Sequence, residues 1–126
     1  KIAEENQLIE DEIEYLIPDI LHAKVGAFLL KKDGLTDNKE ILQAVEYHTL
    51  GAIDMSDLDK IIFIADMIEP NRNYPTLNRL HCLAFKNLDE AMLFGIESTI
   101  KYCIEKNRLL HPKTIAVRNK FLRLLR

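Results

Sequence analysis

What this sequence lacks narrows it first. No apolar run approaches the roughly 20 residues of a membrane span, and no signal-peptide pattern is present, so no membrane partner is expected. Basic residues are not in excess. Seventeen Lys and Arg against twenty Asp and Glu leave a net charge of −3, with an isoelectric point near 5.8. That balance argues against an electrostatic nucleic-acid binder. Cysteine is scarce: Cys82 and Cys103 stand far apart inside helical patterns. They read as reduced, buried thiols of a cytoplasmic protein, not as a disulfide framework. Alternating runs of strand length, internal repeats and low-complexity segments are missing as well. There is no glycine-rich phosphate loop, no G-x-S-x-G and no CxxC, so those chemistries have no sequence support.

What remains is a chain of 126 residues, 48% apolar and 29% charged, which reads as one globular domain with one core. It opens at Lys1 without an initiator Met, as a processed chain or a fragment would.

The organising stretch is Ser56 to Pro70, SDLDKIIFIADMIEP. Ser56 with Asp59 three residues on approximates a capping box, and Pro70 ends the helix. Leu58, Ile61, Ile62, Phe63, Ile64, Ala65, Met67 and Ile68 make it apolar nearly all round, as a central buried helix is. Asp66 is the odd residue. An ionised carboxylate carried inside costs several kcal/mol unless it is paired, for example with Arg72, or binds a metal.

The other segments also read as helices. Ile2 to Ile17 is acidic with a narrow apolar stripe and forms one or two short helices, broken by Pro18. His22 to Lys32 is a helix closed by Gly34 as a left-handed cap. Asp37 and Glu40 open the next, which runs to about His48 and buries Ile41, Leu42, Ala44 and Val45. Gly51 to Met55 is a loop, and Glu69 to Thr76 a structured turn. Leu77 to Phe85 is a short helix. Asn87 with Glu90 opens a longer one to about Lys106. Pro112 suits the first position of the last helix, whose basic residues Arg118, Lys120, Arg123 and Arg126 suit its C-terminus. The fold expected is all-α, with short and uneven helices rather than a regular four-helix bundle.

The candidate chemistry lies at helix ends. His22 enters one helix, His48 leaves another and Asp66 sits late in a third. Two imidazoles and a carboxylate suit a transition metal or phosphate oxygens, although each His taken singly is more often a surface or capping residue. His81 has no partner at ligand spacing and reads as structural. At His111, Pro112, Lys113 and Thr114, a helix start with a Lys and a hydroxyl is a ready anion site. Arg72 can fork onto a phosphate or pair with Glu69.

Four blocks then carry a resemblance: LHAKVGAFL (Leu21 to Leu29), EYHT (Glu46 to Thr49), IADMIEPNRNYP (Ile64 to Pro75) and LLHPKTIAVRN (Leu109 to Asn119). In this order and at these intervals the chain resembles HD-superfamily phosphohydrolases of the YqeK type, the symmetrical bis(5'-nucleosyl)-tetraphosphatases. The resemblance implies one all-α, HD-domain-like unit over residues 1–126, matching the C-terminal two-thirds of such an enzyme and incomplete at its N-terminus. It implies metal-dependent hydrolysis of diadenosine tetraphosphate to two ADP, with a divalent transition metal, iron in this family. Asp66 matches a metal ligand. His22, His48 and Arg72 match residues that contact the phosphates or complete the metal's surroundings. Leu109, Leu110, His111, Pro112, Lys113 and Thr114 match a segment that wraps the nucleotide. The family's earlier His and His-Asp doublet lie upstream of Lys1, and no His-Asp pair occurs in this chain. Residues 1–126 alone are therefore expected to hold metal weakly and to turn over slowly. A homodimer is left open. The alternatives are an HD-type phosphatase acting on another nucleotide and a non-catalytic helical nucleotide-binding module.

Overall fold

A computed structural model describes residues 1–126. It contains eight α-helices and no strand, so the expected all-α class holds. The helices are α1 (Ile2–Glu5), α2 (Glu12–Leu16), α3 (His22–Lys32), α4 (Lys39–Tyr47), α5 (Asp57–Met67), α6 (Leu77–Ala84), α7 (Leu88–Glu105) and α8 (Pro112–Leu124). A 3-10 turn at Pro18–Leu21 joins α2 to α3. None of these helices is long and apolar enough to cross a membrane.

Local chemistry sets the helix ends. Ser56 accepts from the Asp59 amide and Asp59 accepts from the Ser56 amide, a complete capping box at the start of α5. Asn87 caps α7. The cap of α4 is Asn38 rather than Asp37: its side chain accepts from the Glu40 and Ile41 amides. After α3, Gly34 takes φ +72° while the Leu35 amide donates to Leu30 and the Gly34 amide to Lys31. This Schellman ending needs the left-handed backbone that glycine adopts freely.

The core joins Phe63 and Ile64 of α5, Leu80 of α6, Ala91, Met92 and Ile96 of α7, and Val117 and Phe121 of α8. In series, α3 packs on α4, α4 on α5, α5 on α7, and α7 on both α6 and α8.

Helix α5 is central but not enclosed. Phe63 and Ile64 are buried, whereas Leu58, Ile61, Ile62 and Ala65 form an exposed stripe on the opposite face. Asp66 is likewise half exposed at the surface rather than carried into the interior. Composition marked α5 as a core helix; only the packing of α4 and α7 on one side decides which face is covered. Ile41 is exposed rather than buried for the same reason, because α4 presents Ala44 to its neighbours. Both cysteines are free, and Cys82 is exposed, contrary to the buried thiol expected there.

Candidate functional site

The short link around Gly34 makes α3 and α4 an antiparallel pair. The first residue of α3 therefore lies level with the residue that ends α4. These residues are His22 and His48, 26 positions apart, and their Nε2 atoms lie 3.0 Å from one another. The rings meet edge to face, with centroids 4.8 Å apart.

Each imidazole is anchored by its other nitrogen. His22 Nδ1–H donates to the Asp19 carbonyl at 2.6 Å, and His48 Nδ1–H donates to the Val45 carbonyl. Both carbonyls lie three residues earlier in the chain, in the turn that precedes each ring. With Nδ1 protonated, each Nε2 presents a lone pair. The Thr49 hydroxyl donates to His22 Nε2 at 3.1 Å. The two acceptor nitrogens thus face one another across a gap that a proton or a metal ion would bridge.

The Asp66 carboxylate is not gathered with this pair. Ligand atoms around one transition metal lie within about twice the 2.0–2.2 Å bond length of one another. His22, His48 and Asp66 are not gathered that closely. The Asp66 carboxylate lies instead 3.5 Å from the Arg72 guanidinium, which also donates to the Asp66 carbonyl and lies 3.6 Å from Glu69. Arg72 is half exposed and folds back on the end of α5.

Beside the histidine pair opens an apolar cavity of about 400 Å³. Leu16, Ile17 and Ile20, after α2, and Leu109 and Leu110, before α8, contribute to its wall. Phe63 and Ile96 supply the floor from the core. The cavity meets the imidazoles through Asp19 and Thr49, the hydrogen-bond partners of His22. Polar atoms are few, from Thr99, Arg108, His111 and Thr114. A volume of this size, apolar with a few polar groups, suits a small organic ligand.

The Leu109–Thr114 segment is only partly as expected. Leu109, Leu110, His111 and Thr114 line the cavity, while Pro112 and Lys113 do not. Nor do the amides at the start of α8 stand ready for an anion. The Lys113 amide donates to His111 Nδ1 at 3.0 Å and the Thr114 amide to the His111 carbonyl. His111 itself caps the helix, and the Lys113 ammonium lies 5.7 Å from the centre of the Tyr47 ring.

His111 also reaches Asp11. Because Nδ1 accepts from Lys113, the proton sits on Nε2, which donates to Asp11 Oδ2 at 2.7 Å. Asp11 Oδ1 accepts from the Glu14 amide and caps α2. This backbone hydrogen bond, with His111 and Lys24 nearby, holds the Asp11 carboxyl below its ordinary range. Buried Glu14 lies 2.7 Å from the Lys24 ammonium, which also reaches Glu10 at 3.2 Å. Burial alone would lower Lys24, but its bonds to Glu14 and Glu10 outweigh that and raise it.

Asp11, Glu14 and His111 have ligand atoms within 4.8 Å of one another, a spacing that could admit a cation. Part of their capacity is already used, although buried Glu14 Oε2 accepts no hydrogen bond. Lys24 pairs with Glu14, and His111 Nε2 donates its proton to Asp11. The cluster fits a structural tie better than a metal centre. None of Asp11, Glu14 or Lys24 stood out in the sequence as more than a solvated charge. Asp11 and Glu14 stand three residues apart, the spacing of a cap at the start of α2, whereas nothing local marks the partner of Asp11, 100 residues away.

A second cavity, of about 470 Å³, lies between Tyr47, Lys60, Lys120 and Phe121. It touches none of the candidate residues. His81 rests against Phe85 and takes no part in either cavity.

Comparison with known proteins adds three findings. The HD domain family matches residues 5–71. The chain is 34% identical over 116 residues to a symmetrical bis(5'-nucleosyl)-tetraphosphatase of Halalkalibacterium halodurans, and 36% identical over 102 residues to one of Bacillus subtilis. Those matches take in 92% and 81% of this chain, which spans 62% and 55% of the relatives' lengths. In three dimensions it superposes on an HD superfamily hydrolase of Clostridium acetobutylicum with a TM-score of 0.91 and 35% identity, over 97% of this chain and 65% of that one.

Proposed function

The chain belongs to the HD domain family, and from that premise we propose that it forms the nucleotide-binding part of a metal-dependent dinucleoside tetraphosphatase. The reaction proposed is hydrolysis of diadenosine tetraphosphate to two ADP. One observation carries the reading: two imidazole lone pairs face each other at 3.0 Å, and the hydrogen-bond partners of His22, Asp19 and Thr49, line an apolar cavity of about 400 Å³. The names of the relatives from Halalkalibacterium halodurans and Bacillus subtilis support the choice of substrate.

The HD domain implies dependence on a divalent metal. The residues present fit such an ion. Neutral imidazole nitrogens, fixed in one tautomer by backbone carbonyls, are the ligand type that first-row transition metals prefer. His22 and His48 would hold it, and iron is the identity we propose. When bound, a divalent ion supplies Lewis acidity to a phosphoryl oxygen and a more acidic water.

The chain's own groups have separate tasks. The cavity takes the nucleoside, with Leu109 and Leu110 against its base and Ile17 and Ile20 on the opposite wall. Thr49 holds the His22 ring in register through its hydroxyl. A phosphate arriving beside Arg72 competes with Asp66 and Glu69 for the guanidinium. Capture of Arg72 releases the Asp66 carboxylate from its ion pair. The Arg72 guanidinium, once drawn to the phosphate, offsets the charge that grows there.

The test is ADP release from diadenosine tetraphosphate with added ferrous or manganous ion. Release should depend on the ion and fall at least 100-fold in His22→Ala and in His48→Ala. Release at the wild-type rate in both variants would remove the histidine pair from the mechanism.

A further inference from the structure

The cavity has two walls that come from opposite ends of the chain. Leu16, Ile17 and Ile20 follow α2, whereas Leu109 and Leu110 immediately precede α8. Between residues 1–21 and residues 86–126 there is one hydrogen bond or ion pair, from His111 Nε2 to Asp11 Oδ2 at 2.7 Å. At each end it is anchored by a helix cap. Asp11 Oδ1 accepts from the Glu14 amide, and His111 Nδ1 accepts from the Lys113 amide. One bridge therefore couples the cap of α2 to the cap of α8, at a residue, His111, that itself lines the cavity.

We propose that Asp11 and His111 form a positioning clasp that sets the spacing of the two walls for the nucleotide. This rests on the reading of the cavity as the nucleoside pocket. Asp11 is then a residue that governs affinity although it does not line the pocket. The reasoning is one of populations. A ligand binds only the arrangement in which both walls are in place, and its apparent dissociation constant rises in inverse proportion to the fraction so arranged. Apolar contact across an empty pocket is weak, because the facing side chains do not touch until a ligand fills the gap. The clasp supplies what the empty pocket lacks. His111 is buried and Asp11 half exposed, so the bond is partly shielded from water at its histidine end.

The neighbouring charges leave the bridge its own partner set. Glu14 is taken by Lys24, and Lys24 also by Glu10. Lys113 turns to Tyr47. No other hydrogen bond or ion pair competes for Asp11 Oδ2 or for His111 Nε2.

Two substitutions cut the bridge and spare the caps. In Asp11→Asn the amide oxygen still accepts from Glu14, but the amide nitrogen opposes the His111 N–H, donor against donor. In His111→Asn the shorter side chain still caps α8, since asparagine is a preferred cap, but it cannot reach Asp11. The experiment is titration of ADP, with manganous ion present, into the wild type, each single variant and the double variant. Circular dichroism and thermal midpoints are recorded beside it, and KM and kcat for diadenosine tetraphosphate are measured on the same proteins.

Each single variant should bind ADP about tenfold more weakly, and the double variant no more weakly than either single. KM should rise with kcat held, a split that loss of general stability would not produce. Wild-type binding that persists unchanged in both single variants would overturn the clasp and leave the nucleotide reading intact. Additive losses in the double variant would also overturn it, since each residue would then act alone. A wild type that binds no ADP would overturn the nucleotide reading and the clasp together.

Discussion

His22 Nε2 and His48 Nε2 face each other at 3.0 Å, and each ring has committed its Nδ1–H to the backbone three residues earlier. Neither nitrogen can turn to a new partner without leaving its carbonyl. Lone pairs held this close repel unless a cation lies between them. A divalent ion should therefore stabilise the fold, by about 2.7 kcal/mol at a hundredfold excess over its dissociation constant. Thermal unfolding with and without manganous ion checks this. The upward shift should vanish in His48→Ala, and a shift that survives the substitution would place the ion elsewhere.

The same geometry fixes tautomers. Nitrogen-15 spectra of neutral histidine rings should show His22 and His48 protonated at Nδ1 and His111 protonated at Nε2. His111 found with its proton on Nδ1 would contradict both its cap on α8 and its bond to Asp11.

Glu14 and Lys24 form the most buried ion pair of the chain, with side chains 2% and 14% exposed. Lys24→Met leaves the Glu14 carboxylate buried without its cation and should destabilise by about 3 kcal/mol. Adding Glu14→Gln should recover most of that loss, because no charge is then left inside. Urea denaturation of the two variants decides it; a double variant no more stable than Lys24→Met would mean that the pair matters chiefly through packing.

Stability should fall from both ends of the pH scale. Lys24 is raised above its usual 10.5 by Glu14 and Glu10, against the opposing effect of burial, and Tyr47 and Tyr74 are raised above 10.0 by burial. A raised group contributes stability that is complete below its unfolded pKa and is lost as pH climbs through the folded one. All three therefore weaken the fold at alkaline pH, from about 10 upward. Asp11 is lowered below 3.8 by the Glu14 amide, so its contribution is present above that value and disappears as pH falls through the folded pKa. Asp11→Asn should flatten the acid limb of a stability profile and leave the alkaline limb in place. An acid limb of unchanged slope would show that Asp11 is not held by its cap.

Gly51 has φ +74°, and a Cβ there would meet Val117 Cγ1 at 3.3 Å. Gly51→Ala should cost about 1–2 kcal/mol from the left-handed backbone alone. Its midpoint in a denaturant titration should drop accordingly, while Gly34→Ala, at φ +72° with open space around it, should lose only the backbone part.

Much of the fold was legible because helix ends are local events. Ser56 with Asp59, Asn87 with Glu90, Gly34, and Pro112 after His111 each act within a few residues, and each marks a real boundary. Asn38 took the cap expected near Asp37 because the side chain one residue later reaches two amides. Facing surfaces were less legible. The apolar circumference of α5 could not tell that Phe63 and Ile64 alone of its apolar residues would be buried, while the pairing of Asp66 with Arg72 is one of the two readings its sequence leaves open. His22 and His48 could be marked as helix-end residues, but their meeting depends on the antiparallel pairing of α3 with α4. The bond between Asp11 and His111 spans 100 positions, and no local pattern reports it.

The central claim joins the histidine pair to the nucleotide, and calorimetric titration of ADP in the presence of manganous ion tests it most directly. The wild type should give a saturable isotherm, and a variant carrying both His22→Ala and His48→Ala should bind at least 30-fold more weakly while keeping its helical circular dichroism. An unchanged isotherm in the double variant would contradict the account.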